Sequence, residues 1–159
     1  MLWTVYFTAA FLLLIALFTW KGHSMHLFEI LTVWMAVVFM DDLYVASLTL
    51  QLGWIETSGV GVTAFVRMIH LQILTPLIVV WGMSLTDRIR PLYGKWMAGA
   101  ATSLVLALIR MHLSSCGVIR IVTEKGRIVD MLEALLLIVY AFAVRAAYRV
   151  LLRKDGLRL

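Results

Sequence analysis

A predominantly apolar segment, LFEILTVWMAVVFMDDLYVASLTLQL, occupies positions 27–52 and carries two adjacent aspartates, Asp41 and Asp42, close to its middle. About 20 apolar residues at a rise of 1.5 Å each cross the hydrocarbon core of a bilayer, so this segment is long enough for a transmembrane helix. A charged side chain at the centre of such a helix costs about 2.5–3.5 kcal/mol on insertion scales. The two aspartates therefore need a partner inside the protein or a function of their own.

Blocks of similar length and character recur along the chain. Hydrophobic residues fill 63% of its 159 positions, charged residues only 14%, and the mean hydropathy is +0.97. Soluble domains are about half apolar and a quarter charged, so the composition predicts an integral membrane protein. We expect an all-α fold, a single transmembrane domain over positions 1–159 that forms a compact bundle of about five helices. The predicted spans lie near positions 2–20, 27–52, 61–84, 96–117 and 131–152.

The distribution of lysine and arginine predicts an orientation, because basic loops tend to remain on the cytoplasmic side. The link at 53–60 has none, whereas the link at 85–95 and the C-terminal tail have several. Five spans then place the N-terminus outside and the C-terminus in the cytoplasm of a cell (inner) membrane. The link at 117–130 disagrees, since it would lie outside and yet is basic. Its basic residues are Arg120, Lys125 and Arg127. The alternative has four spans, with one block re-entrant or lying along the surface.

The net charge of +5 and the isoelectric point near 9.7 raise the question of a nucleic-acid partner. The basic residues lie between and after the apolar blocks, and no nucleic-acid-binding motif accompanies them. We therefore expect no nucleic acid among the partners, and interpret the basic residues as determinants of membrane topology.

The link at 117–130 contains a near-repeat. Two triplets, Arg120-Ile121-Val122 and Arg127-Ile128-Val129, flank the sequence TEKG at 123–126. β-Branched residues around a turn that contains glycine are typical of a hairpin. The sequence thus predicts a small extracytoplasmic hairpin between the fourth and fifth spans. The alternative is a helix that continues past Cys116 and breaks at Gly126.

We select eight ionisable residues within the predicted spans as needing partners, too many to be tolerated without pairing. They are Glu29, Asp41, Asp42, Arg67, His70, Arg110, His112 and Arg145. Counting along antiparallel neighbours puts the aspartates, Arg67, His70 and Arg110 at similar depth in the outer half. Asp41 and Asp42 diverge by about 100° around their helix and cannot address one neighbour equally. We predict an intramembrane charge cluster in which one aspartate meets Arg67 and the other meets Arg110, with His70 on the face of Arg67.

Three further features bear on packing. Gly99, Ser103 and Ala107 recur every four residues, a stripe that lets a neighbouring backbone approach closely. Pro76 should interrupt the hydrogen bonding of its helix and kink it. Glu29 has no evident arginine nearby, and we expect it to reach the inner interface.

Metal, haem and catalytic signatures are weak. His70 and His112 lie at matching depth, as the two axial ligands of a b-type haem would. His112, however, points roughly opposite Arg110 on its helix, which disfavours that hypothesis. No zinc motif is present, and no acidic residue follows Asp42 at helical spacing to complete a divalent-metal site. We predict no cofactor, no metal and no catalytic residue, with haem b as a remote alternative.

These observations favour a non-catalytic subunit or assembly partner of a membrane complex, bound to another membrane protein or to a second copy of itself. The main alternative is a small proton- or cation-coupled transporter or channel element that uses Asp41 or Asp42 with His70. A haem-binding subunit is a remote third hypothesis. The static role ranks first because transport needs a carboxylate that gains and loses a proton, whereas a paired arginine keeps a carboxylate charged.

Overall fold

The computed structural model describes position 9, residues 25–57 and residues 61–154, with Met131 described by its backbone only. Four helical segments in these ranges are long and apolar enough to cross a membrane. Their bounds are Leu27–Gln51, Gly61–Arg88, Leu92–Ser115 and Glu124–Lys154. They coincide with the second to fifth predicted spans, which confirms a helical bundle. The predicted span at 2–20 lies outside the described residues.

We number the elements in chain order. They are α1 (Leu27–Ala46), β1 (Ile55–Thr57), α2 (Gly61–Ile69), α3 (Thr75–Arg88), α4 (Leu92–Ser115), β2 (Ile119–Ile121) and α5 (Glu124–Lys154). Two π-helical turns complete the first two spans. One, Ser47–Gln51, extends α1, and the other, His70–Leu74, joins α2 to α3.

The irregularity expected at Pro76 takes the form of the second π turn. A proline has no N–H to donate, and its ring collides with the carbonyl four residues earlier in an α-helix. A wider turn directly before it relieves this conflict, and the Thr75 N–H accordingly donates to the carbonyl of His70, five residues back. The span continues through the proline, and His70 begins the widened turn.

The spans form a four-helix arrangement in which α1 and α4 each pack against both α3 and α5. The short link between Arg88 and Leu92 makes α3 and α4 antiparallel neighbours. The core between the helices is aliphatic and includes Val33, Val37, Val79, Met83 and Ala141. Many large apolar side chains remain exposed on the outside of the bundle, among them Met35, Phe39, Leu104, Leu108 and Leu136.

Close contact between α3 and α4 depends on Gly82. A Cβ atom at this position would lie 2.6 Å from Cγ2 of Thr102, which is too close for any real contact. The Thr102 hydroxyl donates to the Ala98 carbonyl at 2.8 Å, which holds the threonine side chain against its own helix. A Cβ at Gly99, in contrast, would meet no atom of the described residues within 4 Å. The predicted stripe at Gly99 is therefore not the place where the described helices approach most closely.

The strands form an antiparallel ribbon in which Ile55 pairs with Ile121 and Glu56 with Arg120. This ribbon joins the link after the first described span to the link before the last one. The hairpin predicted within 117–130 is therefore wrong, because only its first half is a strand and its partner lies about 65 residues earlier. An isolated hairpin is marginal in stability, whereas Ile55 and Ile119 bury their side chains against Leu48 and Leu113.

The alternative prediction, a helix running on to Gly126, is also wrong. α4 ends before Gly117, whose positive φ of 71° is the left-handed conformation that glycine adopts most easily. The Val118 N–H donates to the Leu113 carbonyl at 3.1 Å and closes the helix end. Gly126 instead lies in the first turn of α5, where its N–H donates to Oγ1 of Thr123 at 3.1 Å. Thr123 thus caps α5, and the second half of the near-repeat is helical.

Candidate functional site

Arg110 of α4 is buried in the half of the bundle nearest the ribbon, with 7% of its surface exposed. Its guanidinium contacts Asp41 of α1 at 2.5 Å and Asp130 of α5 at 3.1 Å, and it also donates to Glu133 of α5. Three helices therefore converge on one cation. We call these four residues, Asp41, Arg110, Asp130 and Glu133, the ribbon-side cluster.

Helical spacing explains why these residues meet. In α1 the buried positions Glu29, Val33, Val37 and Asp41 recur every four residues on one face. The buried stripe of α4 includes Leu106 and Arg110 at the same spacing. On α5, Asp130 and Glu133 are three residues apart and share the inward face.

The ribbon-side cluster contains more negative than positive charge. Three carboxylates and one guanidinium leave a formal charge of −2 when all are ionised. Oδ2 of Asp41 and Oε2 of Glu133 are buried and have no hydrogen-bond partner in the described part of the chain. The Tyr44 ring lies 5.4 Å from the guanidinium carbon, and its hydroxyl is likewise buried without a partner there. Burial of unpaired negative charge is costly, so this arrangement favours uptake of a proton or another cation.

The structure pairs Asp41 with Arg110, whereas Arg67 acts on Asp42 only as a more distant charge. Among the described residues, no ion pair within 4.0 Å joins Arg67 to Asp41 or Asp42. Asp42 is exposed while Asp41 is fully buried, as the angle between adjacent positions requires. Asp41 thus has the predicted arginine, Asp42 has no described ion pair with Arg67 within 4.0 Å, and Arg110 is shared by Asp41 and two acids of α5.

The two histidines considered as haem ligands lie in different surroundings. His70 is buried, and its Nδ1 lies 3.5 Å from the hydroxyl of Thr75. His112 is exposed, with Nε2 3.6 Å from the sulfur of Cys116 near the end of α4. One imidazole inside the bundle and one on its surface give no support to bis-histidine ligation. The described residues also contain no group of three or more His, Cys, Asp or Glu arranged to hold a metal.

A second, partly buried cluster lies at the opposite end of the bundle, near the link between α3 and α4. Nε of Arg145 and Nε of Arg149 each donate to Glu29 at 2.6 Å. Arg145 also donates two hydrogen bonds to Asp87, one of them at 3.0 Å. We call these residues, Glu29, Asp87, Arg145 and Arg149, the turn-side cluster. Its two carboxylates face two guanidinium groups, so its formal charge is zero.

The expectation for Glu29 is therefore wrong. This carboxylate does not reach the interface, since only 2% of its surface is exposed. Its partners come from the last helix, more than 110 residues later. The spacing of Arg145 and Arg149, four residues apart on one face, is a signal that could have suggested a common acidic partner.

Sequence reasoning also missed Asp130 and Glu133. The predicted last span began at position 131, which assigned Asp130 to a link, whereas α5 begins at Glu124. Two acids three residues apart, followed by a long apolar run, could have indicated an inward acidic face. The cluster they complete presents three carboxylates to one guanidinium. Comparisons of the chain with protein-family models, with curated proteins and with solved structures find no match.

Proposed function

We propose that this chain is an integral protein of the cell membrane whose ribbon-side cluster takes up and releases a proton. Four helices of spanning length and an outer surface rich in large exposed apolar side chains support insertion into a bilayer. The observation that carries the proton-binding role is the single guanidinium that faces three buried carboxylates.

The orientation proposed for the bundle places the ribbon outside and the link between α3 and α4 in the cytoplasm. The described residues of the turn-side half contain seven Lys and Arg and two acids. Those of the ribbon-side half contain five basic residues, of which Arg67 and Arg110 lie well inside their helices. The greater number of basic residues thus favours the turn-side end as cytoplasmic, with α5 ending there.

A proton fits the ribbon-side cluster better than a metal ion does. Oδ1 of Asp41 and Oε1 of Glu133 both accept from Nη2 of Arg110, so the two carboxyl groups approach each other across one nitrogen. A proton on either carboxyl lowers the excess negative charge and supplies an O–H donor for an unpartnered oxygen nearby. Protonation therefore changes the electrostatic attraction between the carboxylates of α1 and α5 and Arg110 of α4. The protein then responds to acidification from the ribbon side.

The turn-side cluster serves as an internal comparison. It joins the same two helices, α1 and α5, but with equal numbers of carboxylates and guanidinium groups. No excess charge there calls for a proton, so we assign it a static role in holding helices together. Only the ribbon-side cluster combines burial, excess negative charge and unpartnered oxygens.

Infrared difference spectroscopy of the purified protein in lipid tests this proposal. A pH titration should show a protonated carboxyl C=O band that disappears as the pH rises. Glu133→Gln or Asp41→Asn should remove or shift the band, whereas Glu56→Gln, an exposed ribbon residue, should leave it unchanged. Absence of a titrating band, or a band indifferent to both cluster variants, would overturn the proposal. Proton flux into vesicles then separates transport from sensing.

A second candidate function, docking to another membrane protein, is favoured by Asp42. This side chain is exposed on an otherwise apolar face of α1, flanked by exposed Phe39 and Leu43. An intramembrane carboxylate on an outer surface is suited to a basic residue of a partner helix. Asp42→Asn should then reduce recovery of a co-purifying partner. Purification of the parent chain alone, with no partner lost in the variant, would contradict this role.

A further inference from the structure

A groove lies between α4 and α5 at the turn-side end of the bundle. Its volume is about 510 Å³, within the range of small-molecule pockets. The walls are mostly apolar and include Gly99, Ala100, Leu135, Ile138, Val139 and Phe142. Apart from Ser103, which lies among the apolar walls, the polar groups line it towards the cytoplasmic end proposed above, where Lys95, Arg145 and Arg149 lie with Thr86 and Asp87. The shape is thus an apolar slot with a predominantly basic mouth.

The mouth of this groove contains basic side chains that are accessible to an anion. Lys95 is exposed and has no carboxylate within 4.0 Å among the residues that the structure describes. Arg149 keeps 39% of its side chain exposed, although its Nε bonds Glu29 and its Nη2 lies 3.9 Å from Oδ2 of Asp87. Lys95 stands in the first turn of α4, where the helix dipole already favours an anion and no acidic residue is present. These positive charges point to an anionic group at the mouth.

The depth of the groove comes from small residues. Gly99 and Ser103 line it, and a Cβ at Gly99 would meet nothing within 4 Å in the part of the chain that the structure describes. The small-residue stripe therefore opens space on this face. Trp96, at the mouth, is 73% exposed, as an indole anchored at headgroup level would be.

We propose that the groove binds one anionic phospholipid, with an acyl chain between α4 and α5 and the phosphate between Lys95 and Arg149. Basic pockets between transmembrane helices on the cytoplasmic side are suited to such headgroups. The inference rests on the proposed membrane insertion and orientation, but it is independent of proton binding by the ribbon-side cluster. The apolar walls select a lipid over free phosphate, and the basic mouth selects an anionic over a zwitterionic headgroup.

Native mass spectrometry of the full chain, extracted in mild detergent, provides the test. After exchange into phosphatidylglycerol or phosphatidylcholine, the parent should retain phosphatidylglycerol preferentially. Lys95→Gln should lose that preference, and Gly99→Leu, which fills the groove, should lose most of the bound lipid. Ala101→Leu makes the same kind of change at an exposed position outside the groove and should behave as the parent. Carbonate extraction of membranes from each variant reports insertion separately.

Several outcomes would overturn the proposal. A specific anionic lipid would be excluded if the parent retained both lipids equally, or if Gly99→Leu retained as much lipid as the parent. It would also be excluded if inorganic phosphate alone stabilised the protein as much as phosphatidylglycerol does. A second copy in the groove would appear as a disulfide-linked dimer of Gly99→Cys in a Cys116→Ala background. Release of the parent protein by carbonate would refute membrane insertion itself. Release of Gly99→Leu but not of Ala101→Leu would show that filling the groove prevents insertion.

Discussion

The adjacent residues Asp41 and Asp42 have opposite environments, since the first is buried and the second is exposed. The stripe of α1 that includes Val37 enters the core, and Asp41 continues it four residues later, whereas Asp42 turns outward. The angle between the two aspartates could be predicted from helix geometry alone. The number of acids around Arg110 could not, because it depends on which face of α5 turns inward. Spacing within one helix is a local property, while convergence of three helices is a property of the packed chain.

At the scale of single residues, Arg110→Gln should be among the most destabilising changes. It removes the only cation from three buried carboxylates of the ribbon-side cluster, and breaking a buried ion pair in this way costs about 3–5 kcal/mol. Arg67→Gln provides the matched control, since Arg67 is only partly buried and has no described ion pair within 4.0 Å. Denaturant unfolding in mixed micelles measures both.

The double variant Arg110→Gln with Asp41→Asn sharpens this prediction. Removing one carboxylate along with the guanidinium lowers the uncompensated charge, so the loss should be smaller than the sum of the single losses. Similar unfolding midpoints for Arg110→Gln and Arg67→Gln would contradict the importance assigned to the cluster.

At the scale of elements, local signals predicted the helices well and the strands poorly. Length and hydropathy were sufficient to place α1, α4 and the core of α5, because a helix satisfies its own backbone hydrogen bonds. β2 has its partner in a distant link, and nothing in the residues around Ile119 indicates that pairing. The near-repeat at 120–129 was misleading, since the threonine cap of Thr123 starts a helix in its middle. Terminal capping outweighed β-branched composition at this point.

Contact between α3 and α4 yields a second prediction. Gly82→Ala should destabilise the bundle, because the new methyl group collides with Thr102 and overpacking of this kind costs about 1–3 kcal/mol. Gly99→Ala adds the same methyl group to the same pair of spans, at a position where it meets no described residue within 4 Å. Thermal unfolding in detergent should therefore show a lower midpoint for Gly82→Ala alone. Equal midpoints would show that α3 and α4 can separate at little cost.

For the whole molecule, the distribution of charge predicts topology. A cysteine introduced at exposed Arg90 or Lys95, in a Cys116→Ala background, should react with a membrane-impermeant maleimide only from the cytoplasmic side. A cysteine at Arg120 in the same background should react only from the opposite side. Reaction of both positions from one side would refute the orientation and would restore the arrangement with a re-entrant block.

Overall architecture was predictable to the extent that it follows from hydrophobicity. The existence and approximate bounds of four helices, and the need for buried ion pairs, could be predicted from residue type and length. The division of eight charged residues into one neutral and one anionic cluster could not. Glu29 and Asp41 share a face of α1, but Glu29 pairs with Arg145 of α5 whereas Asp41 pairs with Arg110 of α4, and that depends on how distant helices align in register.

The antiparallel ribbon joins two helical hairpins to each other. The first described hairpin consists of α1 to α3 and the second of α4 and α5; β1 and β2 fasten them at one end, and Glu29 with Arg145 fastens them at the other. The covalent link at Ile89–Pro91 then adds little to what already holds the halves together. Fragments 1–90 and 91–159 made as separate chains should assemble in one membrane, so that this protein could be built from two pieces.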